Sequence, residues 1–128
     1  MLFRSRDDVF CLLLGSTGRP TAFEKEVEAE IAARNMLGRV QIGPWVEDMP
    51  AAYMLADVVV ATGGAREGFS RTLVEAQAMG RPVIATDHGG ARETILPGVT
   101  GWLVKPGDAT SMAEALADAI DQIGRAHV

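Results

Sequence analysis

The sequence predicts an α/β fold, a Rossmann-like parallel sheet with helices on both faces, from three observations. Short apolar runs of strand length alternate with stretches of helical periodicity, the order that builds βαβ units. Runs such as CLLL and PVIA lack apolar–polar alternation, so each strand is expected to be covered on both faces. Several runs end in glycine-bearing loops, and in open parallel sheets ligands bind beyond the carboxyl ends of the strands.

Each element follows in order. Residues 8–14, DVFCLLL, form an apolar run closed by Gly-Ser-Thr-Gly, expected as a buried strand entering a loop. From 21 to 36, Phe23, Val27 and Ile31, with Ala32, recur at helical spacing among charged residues, and Gly38 is the expected stop. RVQIG at 39–43 is a strand, followed by a polar turn, a short helix over 49–55 and the strand DVVVA at 57–61. A helix opens near Thr72 with Ser70 as its expected N-cap. PVIAT at 82–86 and GWLV at 101–104 are further strands, and Asp108 is placed to cap a last helix with Met112, Leu116 and Ile120 on one face. The loops at 15–18, 43–47, 62–70 and 87–90 then share one edge of the sheet, where a ligand site is expected.

Composition excludes several classes. A chain of 128 residues, 48% hydrophobic, supports one modest core and one domain. Its net charge of −5, with no lysine or arginine run, offers no footprint for nucleic acid. Cys11 is the single cysteine, which rules out a disulfide framework or a cysteine-rich metal site and predicts a buried structural thiol. No apolar run reaches the roughly 20 residues that span a bilayer, so a soluble protein is expected. Both ends read as foreign. CTC TTC CGA TCT would encode LFRS, the residues at 2–5, and ATC GGA AGA G, from the opposite strand of such an adapter, would begin IGRA, the residues at 123–126. The expected native domain is therefore 6–122, with 1–5 and 123–128 as translated adapter.

The stretch REGFSRTLVEAQAMG carries two glutamates, Glu67 and Glu75, around a Gly-Phe-Ser junction at a helix start. A helix N-terminus presents unpaired N–H groups and partial positive charge, and so holds phosphate. With Ser70 as N-cap, Glu75 lies about 7 Å along the axis, where a ribose next to a bound diphosphate would fall. A carboxylate can accept from both hydroxyls of a vicinal diol. Glu67, ahead of the helix, suits uncharged sugar hydroxyls better than phosphate. Taken alone, such a pair is ordinary, and surface or loop roles would serve. Because Leu73, Val74 and Ala76 flank Glu75, its helix is expected to be mostly buried and its carboxylate to need a partner. A ligand or a buried salt bridge would meet that need.

The run EGFSRTLVEAQAMGRPVIATDHGGARE, continued by GVTGWLVKPGD and a helix, closely resembles the nucleotide-sugar-binding C-terminal half of GT-B retaining glycosyltransferases of the family-4 type, also called glycosyl transferases group 1. The likeness runs from Val9 to Ile120. It implies that Glu67 contacts donor-sugar hydroxyls as the catalytic glutamate. It further implies that Gly68, Phe69, Ser70, Arg71 and Thr72 receive the diphosphate, mainly on backbone, and that Glu75 binds ribose. Gly43, Pro44 and Trp45 would hold the nucleotide base, with Trp45 either stacking or packing. The resemblance implies no cofactor and no metal; the donor is a nucleotide-diphosphate sugar. The family's upstream Gly-Arg and Lys phosphate segment and its N-terminal acceptor domain do not appear in this sequence. Ser70 stands where many relatives have glycine, and Arg71 where an aliphatic residue is common. A cytoplasmic enzyme of glycan synthesis is implied, transferring sugar with retention to a glycan or lipid. Any association with the inner face of the membrane would run through the absent domain. A GT-B nucleotide-sugar epimerase is the alternative that the Glu-x7-Glu spacing disfavours, and a nucleotide-binding module without chemistry is the other.

Overall fold

The computed structural model describes residues 9–16, 18–62, 71–87, 91–95 and 100–126. The chain divides into two compact units, Met1–Glu47 and Asp48–Val128. Among the described residues each has its own parallel sheet, of two strands in the first and three in the second.

In the first unit, β1 (Cys11–Ser16) is followed by α1 (Ala22–Ala33) and β2 (Val40–Pro44). The strands pair in parallel from Cys11 with Val40 to Leu14 with Gly43, and the register then shifts so that Ser16 meets Pro44. Gly15, at φ 124°, absorbs that shift in a conformation that side chains disfavour. The strand thus runs past its expected end. Thr21 caps α1 by accepting from the Glu24 N–H at 3.1 Å. The helix stops earlier than Gly38, because Asn35 takes up the left-handed conformation, φ 57°, that commonly ends helices. Met36 is then buried beneath it, its N–H donating to the Ile31 carbonyl.

The expected burial of β1 does not hold. Leu12, Leu13 and Leu14 are 39–43% exposed, since β1 pairs with one strand and α1 carries no buried residue. Phe23 lies in solvent while Val27 and Ile31 are half-buried, so the packed stripe of α1 begins one turn later than its periodicity suggests. Cys11 is free and half-buried rather than fully buried, and burial raises its thiol pKa, which keeps it protonated and unreactive at neutral pH.

The second unit runs α2 (Met49–Leu55), β3 (Val59–Ala61), α3 (Arg71–Ala78), β4 (Val83–Thr86), α4 (Ala91–Thr94), β5 (Gly101–Val104) and α5 (Ala109–Ala126). Its strands lie in the order β3-β4-β5, all parallel. Successive side chains of β4 point to opposite faces, and the core divides accordingly. Val83 and Ala85 pack with Tyr53, Leu73, Ala76, Ala91 and Ile95, while Ile84 packs with Val104, Ala115 and Ala119. Helices α2, α3 and α4 therefore cover one face and α5 the other, the expected arrangement.

Two details differ from the sequence pattern. The short helix α4 is an addition, anchored by Ala91 and Ile95. On α5 the fully packed residues are Ala115 and Ala119, with Met112 and Leu116 only partly buried beside them; small side chains let the helix axis approach the sheet closely. Asp108 caps this helix as expected, its carboxylate accepting from the Ser111 N–H at 3.0 Å, and α5 continues without a break across residue 122. Gly101 is obligatory, because a Cβ there would overlap the carbonyl oxygen of Val83, its register partner. Among the described residues, no helix is long and apolar enough to cross a membrane.

Candidate functional site

Parallel pairing puts the carboxyl ends of β3, β4 and β5 at one edge of the second unit. Helix α3 follows β3 and begins at Arg71. Leu73 and Ala76, three residues apart, are 2% and 0% exposed, and they fix one stripe of α3 against the sheet. The other positions turn away: Arg71 and Glu75 are exposed and Thr72 is half-buried. Glu67, Gly68, Phe69 and Ser70 lie outside the described residues.

The structure corrects the expected environment of Glu75. Its helix is not mostly buried, since an eight-residue helix shows the sheet only one stripe, and Val74 beside it is 41% exposed. Among the described residues its partner is a phenol rather than a cation. The Tyr53 hydroxyl donates to Glu75 Oε2 at 3.0 Å. Tyr53 itself is 3% exposed, a ring in the core with its polar tip at the margin. Burial is the main cause that raises the phenol pKa, and the hydrogen bond to Glu75 adds to it, whereas a hydrogen bond from Thr72 acts the other way. One phenol oxygen thus stands between two of the residues singled out in the sequence, Thr72 and Glu75.

Tyr53 was not among the sequence candidates. Its signal was present but weak. It is the only tyrosine of the chain and lies one helical turn from Met49, a spacing that puts both on one helix face and says nothing of its hydroxyl. Its helix is fixed locally by Asp48, which accepts from the Ala51 N–H at 3.1 Å, and by a tertiary contact near the other end, where Arg81 Nη2 donates to the Met54 carbonyl at 3.2 Å.

In the first unit, the ends of β1 and β2 lie side by side, and the Trp45 N–H donates to the Ser16 carbonyl at 3.0 Å. That amide is therefore engaged within the protein. The Trp45 ring is 64% exposed, so it is not a packed core side chain. Pro44 is exposed, and Gly43 is buried with the Leu14 and Leu12 side chains where its Cβ would be. Among the described residues no group of three or more His, Cys, Asp or Glu side chains is placed to hold a metal ion.

Residues 2–122 match the family model for glycosyl transferases group 1. The chain belongs to this family. A D-inositol 3-phosphate glycosyltransferase of Xylanimonas cellulosilytica is 39% identical over 116 residues, 89% of this chain and 27% of the relative. The crystal structure of a glycosyltransferase from Rickettsia africae superposes with a TM-score of 0.85 at 33% identity, over 91% of this chain and 31% of that one. Anabaena Alr3699/HepE, solved in complex with UDP, superposes with a TM-score of 0.83 at 31% identity, over 91% of this chain and 32% of that one. This glycosyltransferase-family chain thus has the Rossmann-like α/β fold of GT-B enzymes and spans about a third of the length of these relatives.

Proposed function

We propose that the chain is the donor-binding domain of a retaining glycosyltransferase that moves a sugar from a nucleotide-diphosphate sugar to a glycan or lipid acceptor. The observation that carries this reading is the Glu75 carboxylate. It is exposed about one turn beyond the start of α3, the helix that follows β3 and whose other stripe is locked to the sheet, and one oxygen is held by Tyr53. A carboxylate presents about four acceptor positions and Tyr53 uses one, which leaves room for a vicinal diol. The UDP complex of the Anabaena relative supports a nucleotide ligand of this kind.

In this reading Glu75 takes the ribose, and the start of α3, with Arg71 and Thr72, receives the diphosphate. Glu67 orients the donor sugar. As the bond from the anomeric carbon to the diphosphate breaks, negative charge grows on the leaving oxygen. Helix N–H groups and the Arg71 guanidinium stabilise it without a metal or cofactor. The acceptor and the rest of the cleft come from a further domain, through which any contact with the inner face of the membrane is made.

The test is Glu75→Ala. Loss of a hydrogen-bonded charged clamp should weaken binding of UDP, GDP or ADP, whichever the wild type binds, by about 1.5–3 kcal/mol. Unchanged affinity in a folded variant, measured by titration, would remove Glu75 from the site.

A further inference from the structure

We infer that Tyr53 is a positioning residue for nucleotide recognition: its phenol holds the Glu75 carboxylate in the orientation that accepts the two ribose hydroxyls. The inference rests on the ribose role of Glu75 proposed above and adds a second residue to it, from a different helix.

Three observations lead there. Glu75 is exposed, and a free glutamate side chain in water would sample many rotamers and lose about 1.5–2 kcal/mol of entropy when a ligand fixes it. The 3.0 Å bond from Tyr53 removes much of that freedom before any ligand arrives, which is how a preorganised site raises affinity. The holder is itself rigid. Tyr53 packs in a cluster with Leu73 and Ala76 of α3, the helix that carries Glu75, and with Val83 and Ala85 of β4. Its ring and the carboxylate therefore share one anchored frame, and the phenol also meets Thr72. A tyrosine needing only to bury its ring would be matched by phenylalanine. The bond satisfies a hydroxyl at the core margin, and because its acceptor is an exposed carboxylate it also sets the direction in which that carboxylate is presented.

Tyr53→Phe separates the two roles. Wild type, Tyr53→Phe and Glu75→Ala are titrated with UDP, GDP and ADP and with the 2′,3′-dideoxy form of each, with chemical shifts as the readout and melting temperature measured alongside. Tyr53→Phe is expected to lower affinity for the ribose-bearing diphosphate about three- to tenfold, as for one lost hydrogen bond, while leaving affinity for the dideoxy form unchanged. Equal weakening of both forms would show a packing role only and overturn the inference. So would wild-type affinity in Tyr53→Phe when Glu75→Ala is impaired; that outcome leaves the ribose role of Glu75 standing. If Glu75→Ala binds the ribose-bearing diphosphate as well as wild type, or wild type binds none of the three, the ribose reading itself fails, and Tyr53 with it.

Discussion

The runs CLLL in β1 and VIA in β4 look alike in the sequence, yet they end in opposite surroundings. Val83, Ile84 and Ala85 are 0–2% exposed, whereas Leu12, Leu13 and Leu14 remain 39–43% exposed. The difference is in what surrounds each strand. Strand β4 has a neighbour on each side and helices over both faces; β1 has one neighbour, and the helix that follows it buries nothing. Apolar composition sets what a strand could bury, but the number of elements packed on it sets what it does bury. The functional consequence follows the same line. Glu75 is carried by a helix fixed in the well-packed region, while Gly43 and Pro44 close β2, and Trp45 follows it, in the loosely covered one.

The largest expected contrast comes from truncating one side chain in each region. Ile84→Ala should cost about 2–5 kcal/mol, transfer and cavity terms together, while Leu13→Ala, from a part-exposed site, should cost about 1 kcal/mol. Urea denaturation of both variants checks this, and equal losses would break the comparison. Glycines sharpen it next. Gly101→Ala forces a Cβ against the Val83 backbone and should cost about 1–3 kcal/mol. Gly43→Ala meets the mobile ends of Leu14 and Leu12 at 2.8 and 3.3 Å, and should cost about 0.5–1 kcal/mol by the same measurement, because those methyls can move aside.

A smaller effect lies at Asn35, whose left-handed backbone ends α1. Asn35→Ala should lose about 1 kcal/mol and Asn35→Gly almost none, in thermal melts. The smallest concerns pH. Because folding raises the Tyr53 pKa, the folded state favours the neutral phenol. That contribution is complete below the unfolded phenol's pKa of about 10 and fades as pH rises through the higher folded value. Wild type should therefore lose stability relative to Tyr53→Phe only on the alkaline side of pH 10, and curves that stay parallel there would contradict the buried phenol.

Much was legible in the residues alone, for definable reasons. The α/β class, the bounds of α2 and β5, the Thr72 neighbourhood as a helix start and the Asp108 cap all depend on local signals. These are run length, periodicity, and side chains able to accept backbone N–H groups. The resemblance carried by EGFSRTLVEA and GRPVIATDHGG pointed to the family to which the chain belongs. Other features required the tertiary structure. Gly38 was the apparent stop of α1, but Asn35 reached the left-handed conformation first, a choice among several competent residues that local sequence leaves open. Ala115 and Ala119, not the larger Met112 and Leu116, became the buried stripe of α5 because closeness to the sheet rewards small volume. Glu75 was identified by its spacing from Glu67, yet its exposure, and a phenol from another helix as its partner, could not be read from neighbours at 73, 74 and 76. Periodicity places a residue on a face of its own helix, whereas burial and hydrogen-bond partners depend on which other elements, distant in the chain, fold against that face.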